Sequence, residues 1–152
     1  MKVLILDIDG VLNYDNTNAT APSGALGVSN SKIQLLKNII DVTNAKVVLS
    51  STWRYDRPCG KDYQYLVGKL KDSGIVVYSH IPEISSVRRG LEISAWLARH
   101  PDVEGWVVID DTKFSDFDRG EFAGHLVITD SKQGLTDADV SKAIEILNNE
   151  NR

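Results

Sequence analysis

Four short clusters hold most of the residues able to do chemistry: Asp7-Ile8-Asp9-Gly10, Ser50-Ser51-Thr52, Arg88-Arg89 and Asp110-Asp111. A single aspartate after an apolar run is ordinarily a cap or turn former. A DxDG sequence at a given strand end, however, arises by composition on the order of once in a thousand, and a second acidic pair at another strand end lowers that further. Four carboxylates gathered at one rim would repel by several kcal/mol unless a cation sat among them. An all-oxygen donor set without nearby His or Cys selects a hard ion, and Mg²⁺ is the usual one where phosphate is also bound. The residues therefore predict a Mg²⁺ site built from Asp7 and Asp110, with Asp111 as a further ligand.

Within DxD the two acids suit different tasks. A carboxylate clamped by a divalent ion stays anionic, which fits Asp7 as a nucleophile forming a phospho-aspartate. Asp9, two residues on, is placed to protonate a leaving group and then activate water. Gly10 permits the turn that follows. Hydroxyls and backbone N–H groups at Ser50, Ser51 or Thr52 are candidates for holding phosphoryl oxygens, and Arg88 or Arg89 for offsetting their charge.

The elements that must position these groups alternate between strand and helix. Buried strands are expected at Val3–Leu6, Lys46–Leu49, Ile75–Tyr78, Trp106–Ile109 and Leu126–Ile128, all short, apolar and rich in β-branched residues. Helices are expected from Ser31 to about Val42 with Ser29 or Asn30 as N-cap, over Tyr63–Asp72 closed by Gly74, over Val87–His100 ended by Pro101, and after Thr136, which forms a capping box with Asp139. Such alternation predicts an α/β three-layer sandwich, a Rossmann-like parallel sheet of about five strands with helices on both faces. Ligands of open sheets of this type bind at the carboxyl ends of the strands, where three of the four clusters fall. Residues 13–30, polar and rich in Asn, Thr, Gly and Ser, read as a long loop that can serve as a flap.

The segments DIDGVLN, VLSSTWR, RRGLEISAWL and VVIDD together resemble the haloacid dehalogenase-like (HAD) phosphohydrolases, whose four motifs occur in this order on a Rossmann-like sheet. The resemblance covers residue 2 to about 130. Within the superfamily the chain is most similar to the small phosphatase-type domains grouped with RNA-repair proteins, through STWR, RGxEIxxWL and the Gly134–Thr136 segment. It implies Asp7 as nucleophile, Asp9 as acid/base that also offers its backbone carbonyl to Mg²⁺, and Ser51, with Ser50 competing, as the second-motif hydroxyl. It further implies Arg89, with Arg88 adjacent, as the third-motif cation, and Asp110 with Asp111 as metal-binding acids. An acid at position 9 favours phosphatase over dehalogenase or ion-pump chemistry.

The spacing between motifs leaves no room for a large cap, so residues 1–152 read as one catalytic domain with an open site. An open site favours a phosphate at the end of something large. Polynucleotide ends or nucleotides are accordingly the leading substrate class, ahead of phosphoproteins, small metabolites, or a catalytically silent binding domain. Trp53 and Arg54 offer a base-stacking ring and a grip on a second phosphate; the alternative is that Trp53 packs under its loop and Arg54 pairs with an acid such as Asp56.

Composition narrows the remaining classes. The chain has 152 residues, 42% hydrophobic, with a net charge of −4, and so lacks the general basic field of a nonspecific nucleic-acid binder. One cysteine, Cys59, excludes an internal disulfide and a Cys-based zinc cage, and fits a reducing, cytoplasmic setting. The apolar start is too short for a signal segment or membrane span, so no membrane partner is expected.

Overall fold

A computed structural model describes residues 1–149. Five strands form one sheet: β1 (Lys2–Leu6), β2 (Lys46–Leu49), β3 (Val77–His80), β4 (Gly105–Asp110) and β5 (Leu126–Ile128). Their order is β3-β2-β1-β4-β5, and every pairing is parallel. Helices α1 (Asn30–Thr43), α2 (Lys61–Asp72) and α3 (Arg89–Ala98) connect the first four strands, and α4 (Asp137–Asn149) follows β5. The fold is the α/β Rossmann-like sandwich that the alternation predicts, with no large cap among the described residues. No helix among them is long and apolar enough to cross a membrane.

Why the central strands are mostly apolar follows from how their side chains divide. Leu4, Leu6, Val47, Leu49, Val107 and Ile109 face one way and pack with Ile33, Leu36 and Ile39 of α1, Leu66 and Leu70 of α2, and Val140, Ala143 and Leu147 of α4. Val3, Ile5, Val48 and Val108 face the other way, against Ile93 and Trp96 of α3 and against Phe117 and Phe122. Both faces are thus covered along β1 and β4, whereas β2 opens on exposed Lys46 and the edge strand β3 leaves Tyr78 exposed. The two phenylalanines come from short 3₁₀ turns at Ser115–Asp118 and Gly120–Phe122, which complete the thinner layer beside α3.

Boundaries differ from the sequence reading, most at the third strand and around α2 and α3. The third strand occupies Val77–His80 rather than Ile75–Tyr78, because the Ile75 N–H returns to the Leu70 carbonyl (2.9 Å) and closes α2 instead of joining the ladder. Helix α2 begins at Lys61, two residues early, and α3 is shorter than Val87–His100 at both ends. The break after β2 contains a 3₁₀ turn, Thr52–Asp56, that periodicity did not reveal. The expected capping box is present: the Thr136 hydroxyl and N–H both donate to Asp139, whose N–H points back to Thr136.

The segment 13–30 is tied down along its length. Thr20 and Leu26 form an antiparallel bridge, Ser23 bonds to Asp62 of α2 through its N–H and hydroxyl, and the Ser29 N–H donates to the Leu12 carbonyl.

Candidate active site

Asp7 and Asp110 are placed side by side by backbone pairing. β1 and β4 run in register from Lys2/Gly105 to Leu6/Ile109, and the Asp7 N–H extends the ladder to the Ile109 carbonyl at 3.0 Å. Both acids therefore leave adjacent strands at the same edge. Oxygen atoms of Asp7, Asp110 and Asp111 lie within 4.8 Å of one another. Asp110 Oδ1 accepts from the Thr112 N–H (2.9 Å), while its buried Oδ2 has no hydrogen-bond partner. Burial, and then the proximity of Asp110, hold the Asp7 carboxyl well above its usual range, with Arg89 acting in the opposite direction. Burial also raises Asp110 to about 6. Crowded buried carboxylates with an orphaned oxygen and an all-oxygen donor set fit a hard divalent cation.

Gly10 explains how the turn after Asp9 and the acidic pair of β4 share this space. Its φ of +79° is open to glycine, and a Cβ there would run into the Asp111 carboxylate. Its N–H donates to Asn13 Oδ1 (2.9 Å) and its carbonyl accepts from the Thr129 hydroxyl (2.7 Å), so neither group is open to a ligand. The expectation that Gly10 binds substrate is corrected accordingly: it shapes the turn and leaves room for Asp111.

The two arginines beside the sheet edge have opposite environments. Arg89, only 7% exposed, lies over the Phe114 ring with Nη1 at 3.7 Å from Asp110 Oδ2 and Nε at 3.5 Å from Glu92 Oε1, yet its guanidinium makes no hydrogen bond among the described residues. Its Nη2 has no partner among the described residues, leaving that donor for an anion beside the acidic cluster. Arg88, by contrast, is exposed at the start of α3. Arg54 is wholly buried, and its donors are consumed by the carbonyls of Ser50, Ser51, Ile81 and Pro82 and by Glu92 Oε2. Arg54 therefore has no donor left to grip substrate, and the alternative reading, that it pairs with an acid, holds with Glu92 in place of Asp56.

Among the hydroxyls, Ser51 stands just past β2 and its Oγ accepts from the Trp53 N–H (3.2 Å), which starts the 3₁₀ turn. Ser50 is fully buried, its N–H held by the Leu6 carbonyl and its Oγ without a partner. Ser50 and Ser51 are equally buried at the end of β2. Thr52 is exposed and, with Asp9, Ala25, Trp53, Asp56 and Asp62, lines a shallow cleft of about 200 Å³.

Asp9 is exposed, and its carboxylate stands outside the Asp7/Asp110/Asp111 cluster. Oδ1 accepts from Asn13 Nδ2 (3.0 Å) and Oδ2 from the Trp53 indole N–H (3.1 Å). Asn13, Glu92 and this use of Trp53 were not singled out from sequence. The i,i+3 spacing of Arg89 and Glu92 on one helix was a usable signal. Asn13, by contrast, has partners that become neighbours only once the 13–30 segment returns.

A model of the HAD domain in Swiss Army Knife RNA repair proteins matches residues 3–140, which contain every residue of this site. No curated protein matches the chain as a relative.

Proposed function

Because the chain belongs to the HAD domain family of Swiss Army Knife RNA repair proteins, we propose that it is a Mg²⁺-dependent phosphomonoester phosphatase working through a phospho-aspartate at Asp7. The observation that carries this reading is the convergence of Asp7, Asp110 and Asp111 beside the buried Arg89, which is ion-paired with Asp110.

Asp7, Asp110 and Asp111 would hold Mg²⁺, with the Asp9 backbone carbonyl as a further ligand by family resemblance; when bound, the ion supplies charge neutralisation for the acidic cluster and for phosphate. Asp7 attacks phosphorus, the bond to the leaving oxygen breaks, and Asp9 delivers the proton that oxygen needs. Asp9 then takes a proton from water as it attacks the phospho-aspartate, releasing phosphate and restoring Asp7. Arg89 offsets charge on the transferring oxygens, and Ser51 with the backbone at the end of β2 orients them.

The leading substrate class is a polynucleotide end or nucleotide. Support comes from the family, from the lack of a large cap among the described residues, and from the charge of the rim. The cleft beside Asp9 carries Asp56 and Asp62 as well, which repel additional phosphates. A terminal phosphate entering alone avoids that repulsion. A nearby cavity of about 630 Å³ between α4 and the 3₁₀ turns contains none of the clustered acids and has no part in this chemistry.

The test is Mg²⁺-dependent hydrolysis across 3′- and 5′-phosphorylated oligonucleotides, nucleotides, sugar phosphates, phosphopeptides and an aryl phosphate, with Asp7→Asn as control. Loss of turnover in the folded variant is expected; substantial residual activity excludes the covalent route. Equal rates across the panel remove the polynucleotide assignment, and no hydrolysis at all leaves a binding domain.

A further inference from the structure

We propose that Asn13 and Trp53 are the positioning residues of Asp9, gripping its carboxylate from two sides so that it faces the leaving group in one orientation. This rests on the phosphatase reading of the site and deepens it, because it names what controls proton delivery there.

Asp9 needs such support. It is exposed and follows the end of β1, so neither packing nor the ladder restrains its side chain. Its two oxygens are nevertheless both engaged, each by a different neighbour. Asn13 is itself immobilised. It is buried, its Oδ1 takes the Gly10 N–H, and its Nδ2 divides its two hydrogens between Asp9 and the Gly27 carbonyl (3.0 Å). That pattern uses both amide donors and fixes which side-chain atom is nitrogen. Asn13 thus ties the Gly10 turn, the Asp9 carboxylate and the far end of the 13–30 segment into one unit.

Trp53 is anchored differently. The 3₁₀ turn starting at Thr52 carries its ring toward Asp9, and Tyr65 of α2 stacks beside it with centroids 6.5 Å apart. The Tyr65 hydroxyl accepts from the Val28 N–H (3.2 Å), next to the Gly27 carbonyl that Asn13 holds. Both grips on Asp9 therefore end on the same stretch, Gly27–Val28. The segment read from sequence as a flap is a brace whose position is transmitted to the proton donor by two routes. Neither Asn13 nor Trp53 has to touch the reacting phosphoryl group to matter; each acts through Asp9.

The experiment compares the full chain with Trp53→Phe, Asn13→Asp and Asp9→Asn in saturating Mg²⁺, using phosphate monoesters whose leaving groups range from nitrophenol to simple alcohols. A good leaving group needs little help from an acid, whereas an alcohol needs a great deal. Trp53→Phe keeps the ring and removes only the N–H; Asn13→Asp keeps the shape and turns a donor toward Asp9 into an acceptor. Both are expected to lose about tenfold or more on alkyl esters and under threefold on nitrophenyl phosphate, a weaker version of the Asp9→Asn pattern. Equal losses across the series would show a merely structural role and overturn the proposal. A leaving-group-dependent loss in Asp9→Asn alone would overturn it while sparing the phosphatase reading, and its absence even there would remove the acid/base role and the proposal together.

A second readout is independent of turnover. The chain has three tryptophans, and Trp53→Phe identifies the Trp53 indole N–H resonance in a ¹⁵N spectrum. Asp9→Ala is expected to move that resonance upfield and speed its exchange with water. An unmoved peak means that the bond to Asp9 is not made in solution, and the proposal falls.

Discussion

Arg54 and Glu92 meet at 3.0 Å with neither side chain exposed to solvent, and the pair joins the loop after β2 to α3. Glu92 Oε2 also accepts from the Ile84 N–H (2.7 Å), while its other oxygen faces Arg89 at 3.5 Å. One buried carboxylate thus pairs with both Arg54 and Arg89 and holds the loop between β3 and α3. Removing one member strands the other charge in the interior. Arg54→Met is expected to destabilise the protein by about 3–5 kcal/mol, measured by denaturant unfolding at neutral pH. A loss below about 1 kcal/mol would show that the pair contributes nothing beyond packing.

Arg89 and Arg88 should separate cleanly in kinetics. Arg89→Ala is expected to lower kcat/KM on nitrophenyl phosphate by roughly a hundredfold or more, because its buried guanidinium lies beside the acidic cluster. Arg88→Ala, altering an exposed side chain, should stay within about twofold of the parent. The reverse ranking would relocate the cation of the site.

Gly10→Ala tests the fit between the turn and Asp111. The new methyl group needs a positive φ and the space of the Asp111 carboxylate. A stability loss of about 1–3 kcal/mol is expected, together with a marked weakening of Mg²⁺ binding in titration calorimetry. Unchanged Mg²⁺ affinity would mean that Asp111 is not a ligand.

Without a divalent ion, the acid cluster predicts an unusual pH response. Asp7 and Asp110 have higher carboxyl pKa values folded than unfolded, Asp110 reaching about 6. The Asp110 contribution is fully present below about pH 4 and is lost as pH rises through about 6, and Asp7 acts in the same direction. Asp110→Asn in EDTA is therefore expected to be more stable than the parent at pH 7 by about 1–2 kcal/mol, and the gain should fade toward pH 4. Melting curves across that range check the sign. Adding Mg²⁺ at pH 7 should reverse the ranking, because only the parent retains the full donor set.

The layered fold and the acids were readable in advance because both depend on local pattern. Continuous apolar strands require two covered faces, and Asp7 and Asp110 sit where those strands stop. What escaped were consequences of three-dimensional return. Arg54 looked like a ligand group because it follows Ser51 and Thr52, but a 3₁₀ turn of three residues per turn carries it under Ser51 and into the interior. Asn13 looked like the start of a flexible loop because its partner Gly27 lies fourteen residues away. The third strand slid two places because Ile75 closes a helix first, a competition between two backbone partners that hydrophobic pattern does not express.

The ladder bond from Asp7 to Ile109 also governs how freely a cation could come and go. Since neighbouring strands hold the two acids together, their spacing is built into the middle of the sheet, and ion loss would not let the carboxylates drift apart without prying β1 from β4. Such a cavity is prearranged: it would refill at the speed of ion dehydration, with no refolding step in between.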